Sequence, residues 1–132
     1  MLEKDLFAGV VTSLCFHSEK VIVVGHGPFL KLYNVLTGKL LTCQEVLPNN
    51  RIHRITFVPK IDINQGTETR MMAVYGSKYI AIVKITIVED EDHASIDIIE
   101  SLGPFCDWIL DVQWLKVGVS HPSDHIKVEG EP

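Results

Sequence analysis

The stretch Met71-Met72-Ala73-Val74-Tyr75-Gly76-Ser77-Lys78-Tyr79-Ile80-Ala81-Ile82-Val83-Lys84-Ile85 places two short apolar runs on either side of Gly76-Ser77-Lys78. β-Branched and aromatic residues favour strands, and a small Gly-Ser turn between two such runs favours a tight antiparallel hairpin. We therefore predict a β-hairpin over residues 71–85. By itself this hairpin indicates a fold and no chemistry.

An earlier part of the chain repeats this arrangement. Residues 21–24 and 29–33 are apolar runs that flank the turn Gly25-His26-Gly27-Pro28. In this alignment Gly25 matches Gly76, and Leu32 matches Ile82. The second hairpin indicates that the chain is built from repeats.

Three predicted strands share one residue pattern and lie at residues 12–16, 53–57 and 110–114. The first two each precede one of the hairpins. In each, an aliphatic and an aromatic residue fall on one face of the strand. These pairs are Leu14/Phe16, Ile55/Phe57 and Val112/Trp114. The aromatic residues are 41 and then 57 positions apart. A period of about 40–45 residues with four strands is typical of WD-repeat propellers, here with insertions in the second unit.

We therefore predict an all-β fold: a WD-repeat β-propeller fragment of about two four-stranded antiparallel blades plus the first strand of a third. Propellers close with about four to eight blades, so this ring is not closed. Remaining blades or self-association are needed to cover the open edges, where we expect Phe57, Leu110 and Trp114 to be exposed. The predicted segments are a lead-in at 1–9, blade 1 at 10–47, blade 2 at 51–102, the first strand of blade 3 at 107–115 and a polar tail at 116–132.

Composition indicates a packed domain, since 46% of the 132 residues are hydrophobic and 22% are charged. The N-terminus carries acidic residues where a secretory signal has a basic start, and the longest aliphatic run, Val21–Val24, is far shorter than a membrane helix. Cys15, Cys43 and Cys106 are widely spaced, which suits reduced, packed thiols in the cytosol or nucleus. We predict a cytoplasmic chain without a membrane segment.

Four segments carry a closer resemblance: residues 51–53, 72–78, 83–85 and 107–115, the last reading Asp-Trp-Ile-Leu-Asp-Val-Gln-Trp-Leu. Over residues 10–115 the chain resembles the N-terminal blades of the WD-repeat protein 6 family. The resemblance implies a large double-propeller protein that is the non-catalytic partner of a tRNA ribose 2′-O-methyltransferase acting in the anticodon loop. From Lys116 the chain departs from the family, where a further hairpin would be expected.

The leading hypothesis is a scaffold fragment that helps to hold a methyltransferase on its tRNA, with catalysis and the methyl donor belonging to the partner. One alternative is a general WD-repeat interaction module in signalling or endosomal trafficking. Another is direct tRNA binding. Its 12 basic and 17 acidic residues give a net charge of −5, which argues against direct binding and favours an indirect contact with tRNA.

We identify no catalytic, cofactor-binding or metal-binding residues. His121 and His125 have the spacing of two helical metal ligands, but Pro122 lies between them. Residues 89–92 are acidic but lack the glycine and alternating oxygen ligands of a calcium loop. The sequence therefore predicts a protein that is not an enzyme and has no cofactor.

With no catalytic site predicted, we expect the chain to act by surface recognition. Propellers bind partners through the loops at one end of their central channel. In this chain these loops precede each inner strand or join the central hairpins. Arg, Lys and Trp are residue types that recur at interface hot spots or phosphate contacts. Alternatively, Trp108 packs between blades, Asp107 bonds a turn and Lys78 is solvated. The predicted partner-binding residues are His26, Arg51, Ser77, Lys78, Asp107 and Trp108.

Overall fold

The computed structural model describes residues 11–88, 93–115 and 126–130, the last segment by its backbone only. The elements in these ranges are all β-strands, as the sequence predicts. They include no helix that is long and apolar enough to cross a membrane. The predicted lead-in at 1–9, the first residue of predicted blade 1 (Val10), the acidic turn at 89–92 and residues 116–125 and 131–132 of the predicted tail lie outside these ranges.

Eleven strands in the described ranges form three sheets, and all their pairings are antiparallel. The first sheet, in the order of the chain, contains β1 (Val11–Phe16), β2 (Val21–His26), β3 (Phe29–Asn34) and β4 (Leu40–Glu45). The second contains β5 (Arg54–Phe57), β7 (Thr67–Gly76), β8 (Tyr79–Val88) and β9 (His93–Leu102), with β6 (Asp62–Asn64) paired to β7. The third pairs β10 (Ile109–Trp114) with β11 (Ile126–Gly130). We call these sheets blades 1, 2 and 3.

The two central hairpins have turns of equal length, but they align with each other differently from the prediction. Each turns through two residues, Gly27-Pro28 in blade 1 and Ser77-Lys78 in blade 2. His26 therefore aligns with Gly76, so the predicted match of Gly25 with Gly76 is wrong by one residue. Leu32 and Ile82 do align. Gly25 and Gly76 both lie close to the loop before β5, but they occupy different positions in their hairpins. Matching them to each other therefore shifted the predicted alignment by one residue.

The hairpin of β7 and β8 is buried on both faces. Met72 and Val74 belong to a core cluster shared with blade 1, whereas Ala73 and Tyr75 belong to a second cluster shared with blade 3. A strand with two covered faces reads as a continuous apolar run rather than an alternating one. This explains why residues 71–85 contain so few polar side chains.

The blades stack side by side. The inner strand β1 lies against β5, β10 lies against both β5 and β7, and the outer strands β4 and β9 are also in contact. Ile55 and Val112, on the faces that meet the preceding blade, are 7% and 1% exposed. Leu14 occupies the same position in β1 and is 50% exposed. Stacking therefore buries the aliphatic position of the repeated strand in blades 2 and 3.

Two of the three side chains that we expected to be exposed are partly buried. Leu110 is 54% exposed, in line with the prediction. Trp114 instead packs against the second cluster, and its indole N–H donates to the carbonyl of Thr56 at 2.9 Å. Phe57 packs against the first cluster. The prediction was wrong for both aromatic residues because neighbouring blades cover them.

The predicted polar tail contains a strand. β11 pairs with β10 in a register that places Trp114 opposite Ile126 and Val112 opposite Val128. Strand β10 is therefore paired along one edge, contrary to the prediction of an unpaired strand. The alternation of apolar and charged residues in Ile126-Lys127-Val128-Glu129 is the local signal for this strand. It was obscured by the glycines and prolines around it.

The cysteines differ from the prediction of packed thiols. Cys15, Cys43 and Cys106 are free. Cys15 is half-buried, and burial raises the pKa of its thiol. Cys43 and Cys106 are exposed, because the first lies on the outer strand β4 and the second in the loop before β10.

Candidate interaction surface

Backbone hydrogen bonds tie the loop before each new inner strand to the hairpin turn of the blade before it. The N–H of Ile52 donates to the carbonyl of Gly27, and the N–H of Ile109 donates to the carbonyl of Ser77, both at 2.8 Å. Gly27 and Ser77 both have positive φ, 61° and 54°. Ile52 and Ile109 therefore occupy equivalent positions, and both are buried. These bonds hold turns and loops together at one end of the stack.

Equivalent positions flank the two isoleucines. Arg51 and Trp108 precede them, and His53 and Leu110 follow them. Leu110 falls where the register of β10 shifts, between Ile109 and Asp111. The register of β1 shifts in the same way at Thr12. Because a bulge redirects the side chain of the extra residue, these shifts account for Thr12 and Leu110 lining one depression.

This depression is open and has a volume of about 780 Å³. Its walls come from all three blades and consist of Thr12, residues 49–53, Ser77 and residues 108–110. The structure thus brings together three of the predicted partner-binding residues, Arg51, Ser77 and Trp108. Trp108 is 59% exposed, so it does not pack between blades as the alternative interpretation had it. We call this site the loop-end depression.

The other three predicted residues lie at the same end but do not line the loop-end depression. The ammonium Nζ of Lys31 lies 3.1 Å from Nδ1 of His26 and donates to it. The backbone carbonyl of Lys78 accepts the N–H of Phe105 at 2.9 Å. Asp107 is half-buried. Their role in partner binding stays a prediction, as it does for Arg51, Ser77 and Trp108.

A polar cluster that joins blades 2 and 3 was missed by the sequence analysis. The hydroxyl of Tyr75 donates to Oδ1 of Asp111 at 3.0 Å, and the N–H of Val112 donates to the same oxygen at 2.9 Å. The guanidinium of Arg54 lies 3.8 Å from that oxygen. The hydrogen bond from Tyr75 is the main reason that the pKa of Asp111 is below its ordinary value, whereas burial raises the pKa of Tyr75. In the sequence, the one indication of this cluster is Asp111, a charged residue inside the largely apolar strand β10.

A second polar cluster joins blades 1 and 2 at the opposite end of the stack. Nε2 of the buried His17 lies 2.9 Å from Oε2 of Glu68. Arg70 donates from Nε to the carbonyl of Val58 at 2.9 Å and from Nη1 to the carbonyl of His17 at 3.3 Å. Its guanidinium also lies 4.1 Å from the ring centre of Phe57. Among the described residues, no group of three or more His, Cys, Asp or Glu side chains is placed to hold a metal ion.

Stacked antiparallel sheets with adjacent inner strands, and with turns and loops gathered at one end, define a WD-repeat β-propeller chain. A solved structure with this fold, the WD40 domain of SCAP from fission yeast, superposes with a TM-score of 0.66 at 15% identity. The match covers 85% of this chain and 26% of that one. It supports the fold alone.

Two curated proteins are similar in sequence. The mouse protein named "tRNA (34-2'-O)-methyltransferase regulator WDR6" is 31% identical over 113 residues, which cover 81% of this chain and 10% of the relative. The rat protein of the same name is 32% identical over 113 residues, which again cover 81% of this chain and 10% of the relative. These matches confirm the predicted resemblance, and the chain belongs to the WD-repeat protein 6 family. The chain spans about a tenth of the length of these relatives. No family model matches the chain.

Proposed function

We propose that this chain is part of a cytoplasmic, non-catalytic WD-repeat scaffold that supports 2′-O-methylation of a ribose in the tRNA anticodon loop. The observation that carries the proposal is the similarity to the mouse and rat methyltransferase regulators. In this proposal the partner is the tRNA ribose 2′-O-methyltransferase, which supplies the catalytic groups and binds the methyl donor. The WD-repeat chain supplies a binding surface.

The loop-end depression supports this proposal because its residue types are those of binding surfaces. Trp and Arg are enriched among the residues that dominate binding energies, and Trp108 and Arg51 are both exposed here. We assign the methyltransferase contact to Arg51, Ser77 and Trp108, with His26, Lys78 and Asp107 at its margin. We assign the tRNA contact to the partner, because a net charge of −5 disfavours phosphate binding by this chain.

The first test is removal of the gene that encodes the chain. We expect loss of the 2′-O-methyl group at tRNA position 34, measured by mass spectrometry of purified tRNA, and its recovery when the gene is restored. Genes carrying Arg51→Ala or Trp108→Ala should restore less methylation. Matched controls at the opposite end are Lys60→Ala and Leu36→Ala, which remove an exposed cation and an exposed apolar side chain. Unchanged methylation after gene removal would contradict the proposal.

Purification of the tagged protein with and without ribonuclease separates the alternatives. We expect a tRNA ribose methyltransferase to co-purify, and to remain bound after ribonuclease treatment. Binding that ribonuclease abolishes would favour direct tRNA binding by the chain. Signalling or endosomal proteins without a methyltransferase would favour a general interaction module. Either result would replace the proposed scaffold function.

A further inference from the structure

The two sides of the loop-end depression come from the same two positions in successive blades. Around the anchored Ile52, blade 2 places Arg51 and His53. Around the anchored Ile109, blade 3 places Trp108 and Leu110. One blade therefore contributes a guanidinium and an imidazole, whereas the next contributes an indole and an aliphatic side chain.

The apolar side lacks a cover. Trp108 and Leu110 are 59% and 54% exposed, although they lie two residues apart and line the same depression. Single exposed apolar side chains are ordinary, whereas apolar patches rimmed by polar groups mark binding sites, and these two side chains share one depression. Burying each of these side chains under a ligand would remove a large apolar surface from water.

The backbone that carries these side chains is held in place before any ligand arrives. Ile52 and Ile109 are bonded to the hairpin turns through their N–H groups, and the N–H of His53 donates to the carbonyl of Tyr75 at 2.8 Å. Ile52 and Ile109 are 0% and 5% exposed, and their burial fixes each loop at its centre. A preformed backbone lowers the entropy lost on binding.

The charges favour a peptide over a nucleic acid. The guanidinium of Arg51 matches a carboxylate in geometry and charge. A phosphate backbone needs several cations in a row, whereas Arg51 is the one Lys or Arg side chain among the described residues that line the depression. The depression therefore offers a single fixed positive charge, which suits one carboxylate better than a chain of phosphates.

We propose that the loop-end depression binds a segment of a partner protein in which a carboxylate side chain stands beside a large apolar one. The carboxylate pairs with Arg51, with His53 as a further hydrogen-bonding group, and the apolar side chain covers Trp108 and Leu110. The inference rests on the proposed function only for the identity of the partner. The chemistry of the segment follows from the depression.

The test uses a random 12-residue peptide library displayed on phage and selected on the chain and on its Arg51→Glu variant. We expect enriched peptides to carry Asp or Glu next to Phe, Leu or Trp. On Arg51→Glu, Lys or Arg should replace the acid beside the same apolar residue. Lys60→Glu is the matched control, since it makes the same charge change at an exposed site at the opposite end, and should leave the selected peptides unchanged.

A synthetic peptide from the selection then gives dissociation constants by fluorescence anisotropy. Loss of a charge-assisted pair should weaken binding by about tenfold or more in Arg51→Glu, and a Lys-for-acid peptide should recover it. Leu110→Ser tests the apolar side independently of Trp108→Ala, and a urea unfolding midpoint is measured for each variant. Identical peptide preferences on wild type and Arg51→Glu would overturn the inference, as would displacement of the peptide by a single-stranded oligoribonucleotide.

These outcomes are separable from those of the proposed function. If the peptides switch as expected but tRNA methylation does not depend on the gene, the depression binds the segment and the scaffold proposal fails. If methylation depends on the gene and Arg51→Glu selects the same peptides as wild type, the scaffold proposal stands and the inference fails.

Discussion

Gly76 is required for space rather than for an unusual backbone conformation. A Cβ at this position would overlap the carbonyl oxygen of Arg51, which belongs to the loop before β5. The same loop holds the N–H of His53 against the carbonyl of Tyr75. Any larger residue must therefore push the polar side of the loop-end depression away from blade 2.

We expect Gly76→Ala to lower the free energy of unfolding by about 1–3 kcal/mol, as is typical when a side chain is forced into a packed site. Urea unfolding followed by tryptophan fluorescence measures it. Gly66→Asn is a suitable control, because Gly66 has open space around it and a φ of 79° that Asn tolerates. Equal midpoints for the two variants would show that the loop yields without cost.

Asp111 makes the stability of the junction between blades 2 and 3 depend on pH in the acid range. The hydrogen bond from Tyr75, together with smaller contributions that include Val112 and Arg54, keeps the pKa of its carboxyl below the ordinary 3.8. A pKa that is lower in the folded than in the unfolded chain means that the folded chain binds this proton less readily. The stabilisation is therefore present above the unfolded-state pKa and is lost as the pH falls through the folded-state pKa.

We expect the free energy of unfolding to fall more steeply below about pH 4 in wild type than in Asp111→Asn, with Tyr75→Phe in between. The measurement is a series of urea titrations from neutral pH to acid. Asp97→Asn removes the same charge from an exposed site on β9 and serves as the control. Parallel pH profiles for wild type and Asp111→Asn would contradict the assignment.

At the scale of elements, the insertion in blade 2 does more than lengthen the chain. β7 and β8 contain 10 residues each, whereas β2 and β3 contain 6. The additional part of β7 pairs with β6 and carries Glu68 and Arg70 to the turn after β1. The inserted residues thus fasten blade 2 to blade 1 at the end opposite the loop-end depression.

We expect Arg70→Ala to destabilise the chain by about 2 kcal/mol, because it removes two hydrogen bonds to backbone carbonyls and the contact with the ring of Phe57. Hydrogen exchange should report the change as faster exchange in the turn at His17–Lys20 and in β5. Lys60→Ala, at an exposed position, controls for the loss of a cation. Exchange that rises equally in every strand would mean that Arg70 does not act at this junction.

At the scale of the whole molecule, the repeated inner strands differ in what covers them. Ile55 and Val112 are buried by the preceding blade, whereas Leu14 and Phe16 of β1 are 50% and 59% exposed. These two side chains occupy the face on which blades 2 and 3 receive a neighbour. An apolar face of this kind favours association.

We expect the isolated chain to self-associate as its concentration rises, and Phe16→Ser to weaken that association by roughly tenfold or more, since burying a Phe contributes about 1.5–3 kcal/mol. Sedimentation velocity at several concentrations is the measurement. Leu36→Ser replaces a side chain that is 77% exposed in the β3–β4 connection, and it should leave the sedimentation profile unchanged. A monomer at all concentrations would show that Leu14 and Phe16 do not mediate contacts.

The sequence by itself determined the all-β class, the repeated hairpins and the WD-repeat architecture, because apolar strand patterns, glycine-containing turns and their repetition can be read along the chain. It also identified Arg51, Ser77 and Trp108 as residues of one end of the stack. Only the tertiary structure decided that these three share a depression with Leu110, and that Asp111 and Arg70 fasten neighbouring blades. Those contacts depend on strand register, bulges and the stacking of sheets, and such relations join residues far apart in the chain without leaving a local pattern.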